Sequence, residues 1–187
     1  MRVPERLYCS GSPLELVRGN LPVEGFEKIV YKMTTNDKIV AAKIFKTRYG
    51  GGVVTYEPVH TREYRVQREW NAYQRLRNSP LKDYIPAPHC LLYDDSHALV
   101  GMAVEWEDGI PLDLTQERQQ KQFGKLRDAV IRTASAGFDT LPSAEMRVNI
   151  RFNPNRNSGF WFSECVIDTA TEENYASMLE EIRDRYK

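Results

Sequence analysis

The sequence predicts an α+β fold: an antiparallel sheet of about five strands with one helix against it, then a reduced second region of one β-hairpin and helices. Three observations carry this. Strand-like runs dominate the first half, at 28–33, 38–46, 90–93 and 98–106. One amphipathic stretch of helical length, 61–78, interrupts them. The later apolar spacing is mainly helical, apart from a hairpin-like pair at 146–152 and 160–167. The expected divisions are an irregular arm at 1–27, a sheet lobe at 28–110 and a smaller second lobe at 111–187.

The elements follow from local chemistry. Residues 1–27 carry Pro4, Pro13 and Pro22 without sustained periodicity, so they read as irregular, with a short helix near 13–18. The turn cluster Thr34-Thr35-Asn36-Asp37 joins the first two strands. Gly50-Gly51-Gly52 lies in a loop, with an extra short strand expected at Val53–Tyr56. Pro80, Pro86 and Pro88 stop the helix and favour extended chain. Asp94-Asp95-Ser96 turns the next strand into its neighbour, and Asp108-Gly109 marks another turn. Thr115 is the expected N-cap of a second helix whose apolar face is Phe123, Leu126, Val130, Ala134 and Gly137. A last helix from Thr171 carries the stripe Tyr175, Met178, Leu179, Ile182 and Tyr186, which needs a partner surface, in this chain or in a protein partner.

Composition narrows the function. Of 187 residues, 41% are apolar and 28% charged, with 26 basic and 26 acidic side chains, so the basic excess of a nucleic-acid binder is missing. No run has the length of a membrane span, and the first residues lack the apolar core of a signal peptide. Cys9, Cys90 and Cys165 form no CxxC pair, and His60, His89 and His97 have no zinc spacing. The expectation is a cytoplasmic, soluble protein with three free thiols.

One lysine stands out. Lys43 lies inside Val40-Ala41-Ala42-Lys43-Ile44-Phe45, where a charge is costly unless an anion meets it. Glu69 shares a helix face with Tyr73 and Leu76 and has the mirror-image problem. The two are expected within about 4 Å of each other.

That pairing, with other fragments, resembles the protein-kinase-like fold. Val40-Ala41-Ala42-Lys43 is similar to its third-strand lysine motif, and Glu69 to the acid of its first helix. Met102-Ala103-Val104-Glu105-Trp106 resembles the strand and hinge that receive adenine. Val148-Asn149-Ile150 is similar to the end of the catalytic loop, and Val166-Ile167-Asp168 to the strand before the metal-binding aspartate. The resemblance spans roughly 22–170. It implies a degenerate, truncated relative of pseudokinases and aminoglycoside phosphotransferases, with a cleft between two lobes.

The departures point away from phosphoryl transfer. Ala144 stands where the catalytic base belongs, and Glu24-Gly25-Phe26-Glu27 keeps a single glycine of the phosphate loop. Phe26 and Glu27 crowd and repel phosphate, so weak or absent binding of ATP with Mg²⁺ is the favoured expectation. Asn149 and Asp168 would hold a metal only with a nucleotide present. The expected function is a small-ligand-binding cleft lined by Lys43, Glu69, Val104, Glu105, Asn149 and Asp168. The alternatives are a small-molecule biosynthetic enzyme reusing that cleft and a protein-interaction module. Nucleotide-induced stabilisation would separate the first from the others.

Overall fold

The computed structural model describes residues 6–17, 20–25, 28–35, 38–47, 61–111, 113–138, 150–156, 158–162 and 180. It divides into two compact units, one of residues 1–70 and 87–106, the other of 71–86 and 107–187.

The first unit is built from strands β1 (Tyr8–Cys9), β2 (Ser12–Pro13), β3 (Glu15–Leu16), β4 (Val23–Glu24), β5 (Lys28–Thr35), β6 (Lys38–Phe45), β7 (Pro88–Tyr93) and β8 (Leu99–Glu105). They form one antiparallel sheet in the order β2-β1-β7-β8-β6-β5-β3, with β4 also on β5. The two ends of this path are neighbours in sequence: Leu14 alone separates β2 from β3. The sheet therefore all but closes on itself, in the manner of a small barrel.

This overturns the expected fold. A five-stranded open sheet of the kinase-like kind has free edges, whereas here residues 8–16 bridge the two edges of one eight-stranded sheet. The arm expected to be irregular, with a helix near 13–18, carries four short strands instead. Ser10 and Gly11 both have positive φ, at 50° and 84°, and so turn β1 into β2 through a two-residue loop.

Alternation along the strands gives the sheet two faces. Ile29, Tyr31 and Met33 of β5, Val40, Ala42 and Ile44 of β6, Leu92 of β7, and Val100 and Ala103 of β8 pack together on one face. Leu7, Cys9 and Leu14 from the bridging segment join that core. Cys9 and Cys90 are disulfide-bonded across 81 residues, which corrects the expectation of three free thiols; Cys165 lies outside the described residues. The opposite face carries Lys28, Ala41, Lys43 and Phe45, all buried.

Helix α1 (Arg62–Leu76) begins in this unit and ends in the second. Thr61 caps it by accepting the Tyr64 N–H at 3.2 Å. Val66, Glu69, Ala72, Tyr73 and Leu76 form its buried stripe, at helical spacing.

The β7–β8 turn rests on Asp94. Its Oδ1 accepts from the Ser96 hydroxyl at 2.6 Å, the Ser96 N–H at 2.9 Å and the Ala98 N–H at 3.0 Å. The hydroxyl bond, chiefly, holds the carboxyl below its usual range. A depressed folded pKa means the ionised form stabilises the fold. That contribution is complete above the unfolded value, about pH 4, and fades as pH falls through the folded one. Asp94→Ala should cost about 1 kcal/mol at neutral pH. In urea titrations the gap from wild type should narrow steadily below about pH 4.

The second unit holds a 3₁₀ turn at Lys82–Tyr84, strand β9 (Ile110–Pro111), helix α2 (Glu117–Ser135), and strands β10 (Ile150–Phe152) and β11 (Phe160–Phe162). The later strands form a three-stranded sheet in the order β11-β10-β9, one strand more than the expected hairpin. Gln116, not Thr115, is the N-cap of α2; Asp113 instead gathers the Thr115 N–H and hydroxyl. Phe123, Leu126, Ala129, Val130 and Thr133 are buried on α2. Gly137, at φ 77°, ends it: the Gly137 N–H donates to Ala134 and the Phe138 N–H to Thr133, a Schellman closure. Arg156 ties this unit together, pairing with Glu107 and donating to the Asp83 carbonyl at 2.9 Å.

Candidate functional site

The chemistry-bearing cluster of the first unit lies where α1 meets the Lys43 face of the sheet. Glu69 is its hub. Its Oε2 accepts from Lys28 Nζ at 2.5 Å and its Oε1 from Lys43 Nζ at 3.2 Å. All three are almost fully covered, at 8%, 4% and 6% exposure for Lys28, Lys43 and Glu69. Charges brought together in so little solvent interact strongly, because water no longer screens them.

Strand register explains how they meet. Thr35 pairs with Lys38, and the ladder then sets Lys28 beside Phe45 and Val30 beside Lys43. Lys28 and Lys43 therefore project from one face on adjacent strands, in the diagonal relation of cross-strand neighbours. Glu69 sits midway along the α1 stripe and splits its two oxygens between them.

Aromatic faces complete the setting. Lys28 Nζ lies 5.1 Å from the centre of the Phe45 ring, and the Arg65 guanidinium 5.8 Å from it. Both are within cation–π range. Arg65 is fixed further by donating to the Lys46 carbonyl at 2.6 Å. Lys32 Nζ stands 4.7 Å over the Trp106 ring.

Strand β8 shapes the cluster from behind. Lys43 pairs with Met102 and Ile44 with Gly101. A Cβ added to Gly101 would collide with the Lys43 carbonyl oxygen and stand 3.2 Å from the Ile44 Cα. Glycine is required there by close strand approach.

The structure brings Lys43 and Glu69 together, as their apolar settings suggested, and adds Lys28, which sequence reasoning missed. Val104 pairs with Ala41, two residues along β6 from Lys43, so it lies on the same sheet face. Glu105 has a bracing role: its carboxylate accepts the Ala87 N–H at 3.2 Å, and its own N–H donates to the Ala87 carbonyl at 2.7 Å. Asn149 and Asp168 lie outside the described residues, as do Phe26, Glu27, Ala144 and all of the expected last helix but Glu180. Among the described residues no group of three or more histidine, cysteine, aspartate or glutamate side chains could hold a metal ion, and no helix is long and apolar enough to cross a membrane.

The lysine–glutamate pair alone does not make a kinase-like protein. The eight-stranded, nearly closed sheet and the three-stranded second sheet replace the expected lobes, so the pseudokinase and phosphotransferase reading falls with the fold. A scan against protein-family models finds no match for this chain, and a search of curated proteins finds none either.

Proposed function

We propose that the Lys28–Glu69–Lys43 cluster is the recognition centre of a small-molecule site, and that its ligand carries an anionic group. The observation supporting this is that, among the described residues, two buried ammonium groups meet at the Glu69 carboxylate. Each ammonium has three donors in fixed positions. Fixed donors in a low-dielectric setting favour an anion far more than solvated lysines do. Ala41, Phe45, Met102 and Val104 lie buried on the same sheet face, so the surroundings of the cluster are apolar.

The cytoplasmic expectation rested in part on three free thiols. With Cys9 joined to Cys90 that argument no longer supports it, since disulfides persist mainly in oxidising compartments.

Thermal denaturation of the pure chain with citrate, pyrophosphate and ATP, at matched ionic strength, tests the site. A ligand at about 100 times its Kd adds about 2.7 kcal/mol, which should raise Tm by roughly 5–10 °C. Lys43→Met should abolish the shift. If none of these anions moves Tm beyond matched chloride, the anion-site reading fails.

A further inference from the structure

We infer that the Cys9–Cys90 disulfide is a redox-operated clasp on the seam of the eight-stranded sheet.

The seam is the stretch from Leu7 to Leu16. Its hold on the rest of the sheet is slight. β1 makes two register pairs with β7, Tyr8 with Tyr93 and Cys9 with Leu92, and β3 makes two with β5. Among the described residues β2 pairs only with β1. By contrast β5 and β6 share eight pairs, and β6 and β8 five. Segments with few ladder bonds are where a fold opens locally. The Tyr8 hydroxyl, on Asp95 Oδ1 at 3.2 Å, adds one exposed contact. The covalent bond lies at this weak point and joins β1 to β7.

The segment also covers something. Leu7, Cys9 and Leu14 are buried against Ile29, Tyr31, Met33, Val40 and Leu92. Because Leu14 alone links β2 to β3, release of β1 removes the piece that spans both edges of the sheet. The long ladders of β5, β6, β8 and β7 stay paired, while one apolar face is uncovered.

The chemistry is thiol–disulfide exchange with a dithiol. A thiolate of the dithiol attacks one sulfur during local opening and forms a mixed disulfide, expelling the other cysteine as thiolate. The second thiol of the reagent then displaces the remaining cysteine. Two electrons pass to the protein, the dithiol becomes a disulfide, and Cys9 and Cys90 take up the protons as free thiols.

The test is amide hydrogen exchange on the full chain, read by mass spectrometry, with and without dithiothreitol. A non-reduced peptide map comes first and should show Cys9 linked to Cys90. On reduction, amides of 7–16 should exchange at least about tenfold faster, while those of β6 and β8 keep their rates. The variant Cys9→Ser should give the reduced pattern without reductant, and an apolar dye should bind the reduced form more strongly. Three outcomes would overturn the clasp: two free thiols in the peptide map of oxidised protein; exchange at 7–16 unchanged on full reduction; or equal acceleration in every peptide, which would make the bond a global staple.

Discussion

Glu69→Ala should destabilise the chain by about 3–5 kcal/mol, the cost of removing one partner from a buried ion pair. Glu69 is the carboxylate that both Lys28 and Lys43 share, so its loss reaches two buried ammonium groups at once. Lys28→Met or Lys43→Met should cost less, because Glu69 keeps the other lysine in each case. In a chain of this size the Glu69 effect should lower Tm by roughly 10 °C. A cycle combining Glu69→Ala with Lys43→Met should show a coupling energy above about 1 kcal/mol. Additive singles of near-zero size would mean that the three charges do not act as a unit.

Gly101→Ala is the second large effect, and its cause is steric. The new methyl would run into the Lys43 carbonyl oxygen and press on the Ile44 Cα. Those atoms are backbone in the centre of the sheet, paired on both sides, and cannot swing aside as a side-chain tip would. The strands must separate locally, at a cost of about 1–3 kcal/mol or more. Since Lys43 moves with its backbone, the anion-induced rise in Tm should shrink as well. Gly124 is the control: it lies inside α2, where an added Cβ meets nothing within 4 Å. Gly124→Ala should therefore stabilise by roughly 0.5–1 kcal/mol. Equal effects at the two positions, measured by urea denaturation, would remove the close-approach argument.

The long elements were legible because their patterns are long. The run 28–33 lies within β5, 38–46 matches β6 to within a residue, and 61–78 brackets α1. The closing of the sheet was hidden for the opposite reason. Strands of two residues, such as Tyr8–Cys9 and Ser12–Pro13, are too short to show a period of two, and a proline argues against a central strand. Those missing strands are what turned an open sheet, and with it a kinase-like reading, into a nearly closed one. The disulfide was hidden too, since pairing depends on spatial approach that a sequence separation of 81 does not reveal. Within the cluster, Lys43 and Glu69 announced themselves by their apolar neighbours. Lys28 did not, because it opens its strand and looks like a solvated end. Its signal was the register: pairing Thr35 with Lys38 carries Lys28 onto the Lys43 face. Of the remaining expected lining, Glu105 braces a neighbouring loop through the Ala87 N–H, a contact that its place at a strand end did not reveal.

The bridge of residues 8–16 has a consequence for biosynthesis. A ribosome delivers Cys9 long before Cys90, and the 81 residues from Ser10 through Cys90 take roughly 4–16 s to make. Throughout that interval the β5–β6 hairpin can form, since its partners are local, but its apolar face has no lid. The earliest-made strand is thus among the last to find its place. A nascent chain caught in that interval carries a raw edge along β6, and a chaperone that binds extended apolar segments has its best opportunity there, before β8 leaves the ribosome.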